Sequence, residues 1–95
     1  MPAGEPTICR RVVVEGRVQG VWFRDSCRSE SERVGVAGWV RNRWGGEVEA
    51  WFEGSETSVE AMVAWCRHGP PRAIVTKVSV NTEPPHGLTG FRITA

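Results

Sequence analysis

The sequence predicts an α+β fold in which two helices pack on one face of an antiparallel sheet. Three patterns carry that expectation. Apolar residues recur at helical spacing in two segments, one beginning near Trp22 and one after Ser55. Between them, two stretches alternate apolar and polar residues about a glycine turn. Runs rich in β-branched residues stand before the first helical segment and after the second.

The elements follow in chain order. MPAGEP opens a frayed start over residues 1–7, because Pro and Gly there have nothing to pack. ICRRVVVE is a strand, and GRVQGV is a loop. From about Trp22 to Val34, Phe23, Cys27 and Val34 share one helical face, with Ser31 small between them. Gly35 stops this helix. In VAGWVRNR, Val36, Gly38, Val40 and Asn42 share one strand face, and Ala37, Trp39, Arg41 and Arg43 share the other. Trp44, Gly45 and Gly46 make the turn, since glycine accepts positive φ in a tight hairpin. In EVEAWFE, Val48, Ala50 and Phe52 point inward, and Glu47, Glu49, Trp51 and Glu53 point outward. The glutamates can then face Arg41 and Arg43 across an antiparallel pair. Ser55 caps a second helix, whose Val59, Met62, Val63 and Cys66 form an apolar stripe. HGPP, from His68 to Pro71, ends it, since proline cannot continue a helix. AIVTKVSVN is a strand whose apolar phase slips between Val75 and Val78, for which a bulge is one explanation. TEPPHGLTG is a loop, and FRITA is a short last strand. The order β-α-β-β-α-β, with residues 8–95 as one domain, is the ferredoxin-like plan, which hosts many functions.

Bulk properties narrow the class. At 95 residues, with 40% hydrophobic and 24% charged residues, the chain suits one small globular domain. A net charge of +1 gives no global field to gather nucleic acid or a membrane surface. No stretch is long enough to span a bilayer, and the first residues lack the apolar run of a secretory signal. Cys9, Cys27 and Cys66 are widely spaced, and two histidines do not complete a zinc set at ligand spacing. The expectation is a cytoplasmic monomer with free thiols and no cofactor.

The loop between the first strand and the first helix is the chemical candidate. Backbone N–H groups at a helix N-terminus lack helical partners, and the macrodipole adds partial positive charge. Gly16 and Gly20 let the chain curl so that successive N–H groups converge on one anion. Arg24, in the first turn, adds a fork of donors that matches phosphate oxygens. Val18 and Val21 brace the loop against the core. It is not a Walker loop, having no Gly-Lys-Ser/Thr. On spacing alone it also reads as a plain glycine-containing connector with a surface arginine.

GRVQGVWFR resembles the GxVQGVxFR signature of the acylphosphatase family. GWVRNRWGGEVEAWFEG resembles that family's second block, WCRHGPPRAIV its GP-x-A-x-V region, and GFRI its closing strand. The likeness runs from about Ile8 onward. It implies metal-free hydrolysis of the carboxyl-phosphate bond of a small-molecule acyl phosphate, giving a carboxylate and inorganic phosphate. The family's catalytic arginine matches Arg24 and its catalytic asparagine matches Asn42. Its phosphate cradle matches the backbone of Gly16, Arg17, Val18, Gln19, Gly20 and Val21. The turn reads RWGG where Asp-Gly is more usual in the family, which implies an altered turn surface. The same domain type also occurs fused within larger carbamoyl-transfer proteins, so a non-catalytic phosphate- or acyl-phosphate-binding module is the alternative.

Other residues have plainer readings. Asn42 without Arg24 is a polar strand end before a glycine turn. Trp22 reads as packing at the helix start, with a place at the substrate entrance as the alternative. Cys27 to Arg33 has the Cys-x5-Arg count of thiol phosphatases, but carries Glu30 and Glu32 and lies in a helical pattern. Asp25 suits the helix dipole, as does His68 at a helix end. Five tryptophans invite a base-stacking reading, but no aromatic RNA-binding signature is present.

Overall fold

The computed structural model describes residues 6–95. Pro6 and Thr7 are exposed ahead of the first strand, and the rest of the expected frayed start, residues 1–5, lies outside the described residues. The elements are β1 (Ile8–Arg17), α1 (Phe23–Val34), β2 (Ala37–Asn42), β3 (Val48–Gly54), α2 (Glu56–Cys66), β4 (Ile74–Glu83) and β5 (Phe91–Ile93). They form one sheet in the order β4-β1-β3-β2-β5. Among the described residues, no helix is long and apolar enough to cross a membrane.

The helices form where the sequence signals them. Ser55 caps α2 by accepting the Ser58 N–H, and Gly35 closes α1 in the left-handed region, its N–H reaching the Ser31 carbonyl. Their apolar faces, through Phe23 and Cys27 of α1 and Val59, Met62 and Cys66 of α2, bury against Val12, Val14, Val40, Val48, Ala50 and Phe52 of the sheet. The inward phase of β2 and β3 is therefore the expected one.

The expected antiparallel sheet holds for β1 to β4, but β5 pairs parallel with β2, Gly38 opposite Phe91 and Val40 opposite Ile93. β4 is one edge of the sheet and β5 the other. The connecting segment must therefore cross a sheet face and turn back, and this reversal sets β5 running alongside β2.

That crossing overturns one expectation. Glu49, Trp51 and Glu53, assigned to an outward face, are 6%, 6% and 3% exposed. On the face opposite the helices, Arg11 and Arg41 from the two neighbouring strands cover Glu49, and the crossing segment covers Glu53. Arg41 Nε donates to Glu49 at 2.8 Å, and Arg11 reaches both Glu49 and Glu83. The crossing segment lays the N–H groups of His86, Gly87 and Leu88 on the Glu53 carboxylate at 2.7, 3.1 and 3.1 Å. Trp51 Nε1 donates to the same group at 2.7 Å. Arg43 makes no glutamate pair among the described residues; its N–H instead donates to the Glu47 carbonyl to close the hairpin.

The phase slip in β4 is a bulge. Glu15 faces Lys77 while Gly16 faces Val75, so Thr76 is the extra residue. Gly16, opposite the bulge, has φ +126°, and a Cβ there would lie 2.1 Å from the Ile74 carbonyl oxygen. Only glycine lets β1 pass so close to β4 as it turns into the loop.

Burial alone would raise the Glu53 carboxyl, but the Trp51 indole and three backbone N–H groups hold it below its ordinary range. A depressed folded pKa gives stability that is present above the unfolded value and lost as pH falls through the folded one. Glu53→Gln is therefore expected to lower stability near pH 7 by about 2 kcal/mol. In urea melts at descending pH, the gap from the parent protein should close below the ordinary carboxylate range.

Candidate active site

Two segments from different parts of the sheet build the site. The first is the loop between β1 and α1. Its Val18 and Val21 are 1% and 6% exposed and anchor it in the core, as the sequence implies. Gly20 and Trp22 both take left-handed backbone angles, φ +74° and +66°, which curl the loop into the helix. Trp22 is the N-cap of α1 but gives no side-chain cap hydrogen bond. The first N–H groups of α1 are thus left without a side-chain cap.

The second segment is the β2–β3 hairpin. Asn42 is the last residue of β2 and pairs with Val48. Its phase turns it to the helix-covered side, and its Oδ1 is buried with no hydrogen-bond partner. A buried, unpaired carbonyl oxygen is costly unless a ligand or water completes it.

Gln19 joins the two segments. Its Nε2 donates to the Arg43 carbonyl at 2.8 Å and the Glu47 carbonyl at 2.9 Å. These two residues close the hairpin just beyond Asn42. Two carbonyl partners also fix which way the Gln19 amide points. The side chain of Gln19 therefore fastens the hairpin to the loop.

Between the two segments lies a cavity of about 340 Å³ lined by Val18, Gly20, Trp22, Phe23, Arg24, Asp25, Asn42 and Ile93. Arg24 is exposed and makes no ion pair among the described residues. Of the sequence-derived set, the cavity thus brings together Val18, Gly20, Arg24 and Asn42. Gly16 sits at the β-bulge, Arg17 is exposed at the end of β1, and the side chains of Gln19 and Val21 are engaged elsewhere. A free guanidinium, the uncapped end of a helix and an unpaired amide oxygen suit a tetrahedral anion with water beside it.

Ile93 has no sign in the sequence as a lining residue, and Trp22 takes the alternative of its two expected places, on the cavity. Ile93 reaches the cavity because β5 runs parallel beside Val40, a pairing that a three-residue strand does not announce. Trp22 does not pack at the helix start: it is 71% exposed. Phe23 takes that role, edge-on to Trp65 with ring centroids 5.1 Å apart. Phe23 is the residue that the helical periodicity placed on the buried face with Cys27.

The alternative chemistries find no support in the geometry. Cys27 lies within α1 at 0% exposure, and Arg33 pairs with Glu30 instead of closing a loop. A hydrogen bond from its own S–H to Cys27, together with burial, pushes the Cys66 thiol well above its usual value. Burial, aided by Glu53 and Glu83, pushes Cys9 up to about 12. His86 packs on Trp51 at 4.6 Å, on the face opposite the helices. Among the described residues, no three His, Cys, Asp or Glu side chains gather as metal ligands would.

Comparison with known proteins points the same way. A family model described as acylphosphatase matches residues 10–93. An acylphosphatase of Rubrobacter xylanophilus is 55% identical over 84 residues, which is 87% of this chain and 76% of that protein. The structure of an acylphosphatase from Coxiella burnetii matches with a TM-score of 0.91 at 35% identity, covering 99% of this chain and 100% of the other. An acylphosphatase structure from Bacillus subtilis gives 0.89 at 37% identity over 93% of this chain and 99% of the other. With nearly its whole length matched in sequence and in fold, the chain belongs to the acylphosphatase family.

Proposed function

We propose that the protein hydrolyses acyl phosphates to a carboxylate and inorganic phosphate in the cavity between Arg24 and Asn42. The observation that carries this reading is the buried, unpaired Oδ1 of Asn42 in the same cavity as the unpaired guanidinium of Arg24. One is an acceptor suited to a water, the other a donor fork suited to a phosphoryl group.

The chemistry asks for little else. An acyl phosphate dianion and one water give a carboxylate and dihydrogen phosphate. The water oxygen forms a bond to phosphorus while the bond from phosphorus to the acyl oxygen breaks, and the electron pair leaves with the carboxylate. Both water protons end on phosphate oxygens, so no side chain has to keep one. The leaving group is stable as an anion near neutral pH, so no strong general acid is required. What remains is charge stabilisation and positioning. Arg24, with the N–H groups of the loop and the first turn of α1, neutralises the phosphoryl oxygens. Asn42 accepts a hydrogen bond from the attacking water and aims it along the line of displacement. Asn is too weak a base to remove a proton, and the stoichiometry does not ask it to.

The test is hydrolysis of benzoyl phosphate by purified protein in EDTA. Arg24→Ala should keep the parent melting temperature, because the side chain is exposed and unpaired, while kcat/KM falls about a hundredfold or more. Activity near that of the parent would refute the assignment. Asn42→Ala should lower kcat by a similar factor with inorganic phosphate bound almost as tightly as before. Loss of phosphate binding in that variant would make Asn42 a structural residue. No turnover by the parent protein, with phosphate still bound at the loop, would leave a binding module.

A further inference from the structure

Trp22 is placed at a cost that the fold does not return. It is the one non-glycine residue with positive φ among the described residues. A left-handed backbone is unfavourable for a bulky side chain and easy for glycine. Strain of this kind persists where the surroundings demand it, and it collects at ligand sites. The indole gains no burial in exchange: it is 71% exposed, stacks on no other ring among the described residues and does not cap the helix.

Its surroundings give it a use. Trp22 lines the 340 Å³ cavity and also a neighbouring cleft of about 510 Å³ that runs past Trp65 and Pro70. Trp22 and Asp25 form the wall that the two share. Within the cavity, the polar side chains are Arg24, Asp25 and Asn42, and the apolar lining is Trp22, Val18, Phe23 and Ile93. A phosphoryl group between Arg24 and Asn42 leaves the carbon skeleton of the substrate to the apolar lining.

Resting on the hydrolase reading above, we propose that Trp22 is a specificity-determining residue whose indole receives the acyl group and selects aromatic acyl phosphates over short aliphatic ones. An exposed indole offers a large, rigid, apolar face at little entropic cost, and an aromatic acyl group packs against it face to edge or offset. An acetyl group is too small to use that face.

The measurement is the ratio of kcat/KM for benzoyl phosphate to that for acetyl phosphate. It is taken for the parent protein, Trp22→Gly and Trp22→Phe. A loss of folded protein cancels in this ratio, since both substrates meet the same active molecules. The ratio should fall about fivefold to tenfold in Trp22→Gly, through a higher KM for benzoyl phosphate, and be largely kept in Trp22→Phe. A ratio in Trp22→Gly within about twofold of the parent value overturns the proposal, as does an equal fall in both variants. A parent protein idle on both substrates overturns the hydrolase reading itself, and this proposal with it.

Discussion

The two hydrogen bonds from the Gln19 amide to the Arg43 and Glu47 carbonyls hold the site together. Arg24 belongs to the loop–helix segment and Asn42 to the hairpin, and the two segments are joined in sequence only through the length of α1. In-line attack on phosphorus tolerates little error between the group that holds the phosphoryl and the group that holds the water. Packing in the core fixes the loop through Val18 and Val21 and the hairpin through Val40 and Val48, each from below. Gln19 fixes one directly against the other at the rim, within a residue or two of Asn42. A hydrogen bond to a hairpin end is modest in energy, and its value here is geometric.

The far side of the sheet supports the same geometry. β3 is buried on both faces, so its outer residues had to be either apolar or fully paired polar groups. This chain uses paired ones: Glu49 between Arg41 and Arg11, and Glu53 under three N–H groups and an indole. The Glu53 contacts fix the path of the segment that crosses from β4 to β5. That crossing delivers Ile93 beside Val40, where it closes the apolar side of the cavity. A carboxylate on the back of the sheet thus helps to set one wall on the front.

Much of this was legible in the residues. Period-two alternation placed Val36, Val40 and Asn42 on one face, and that face is the one that meets the cavity. The slip between Val75 and Val78 located the bulge, and Gly16 stands opposite it. Two features were not legible. The burial of Glu49 and Glu53 depends on β3 being central and on a loop crossing behind it, and period-two alternation alone gives no sign of which polar face will be covered. The parallel pairing of β5 follows from where β4 ends, a long-range fact about three residues. The role of Gln19 also lay hidden: as part of GRVQGV it reads as a cradle residue, whereas its side chain reaches across to the other segment.

In the proposed mechanism, Gln19 sets the distance between the phosphoryl group and the attacking water. The most direct test is kcat for benzoyl phosphate together with the Kd of inorganic phosphate in Gln19→Leu, which removes the donors and keeps the bulk. Loss of registration predicts kcat lower by about tenfold, with phosphate affinity within about twofold of the parent value. An unchanged kcat would contradict the account, as would a loss confined to phosphate affinity.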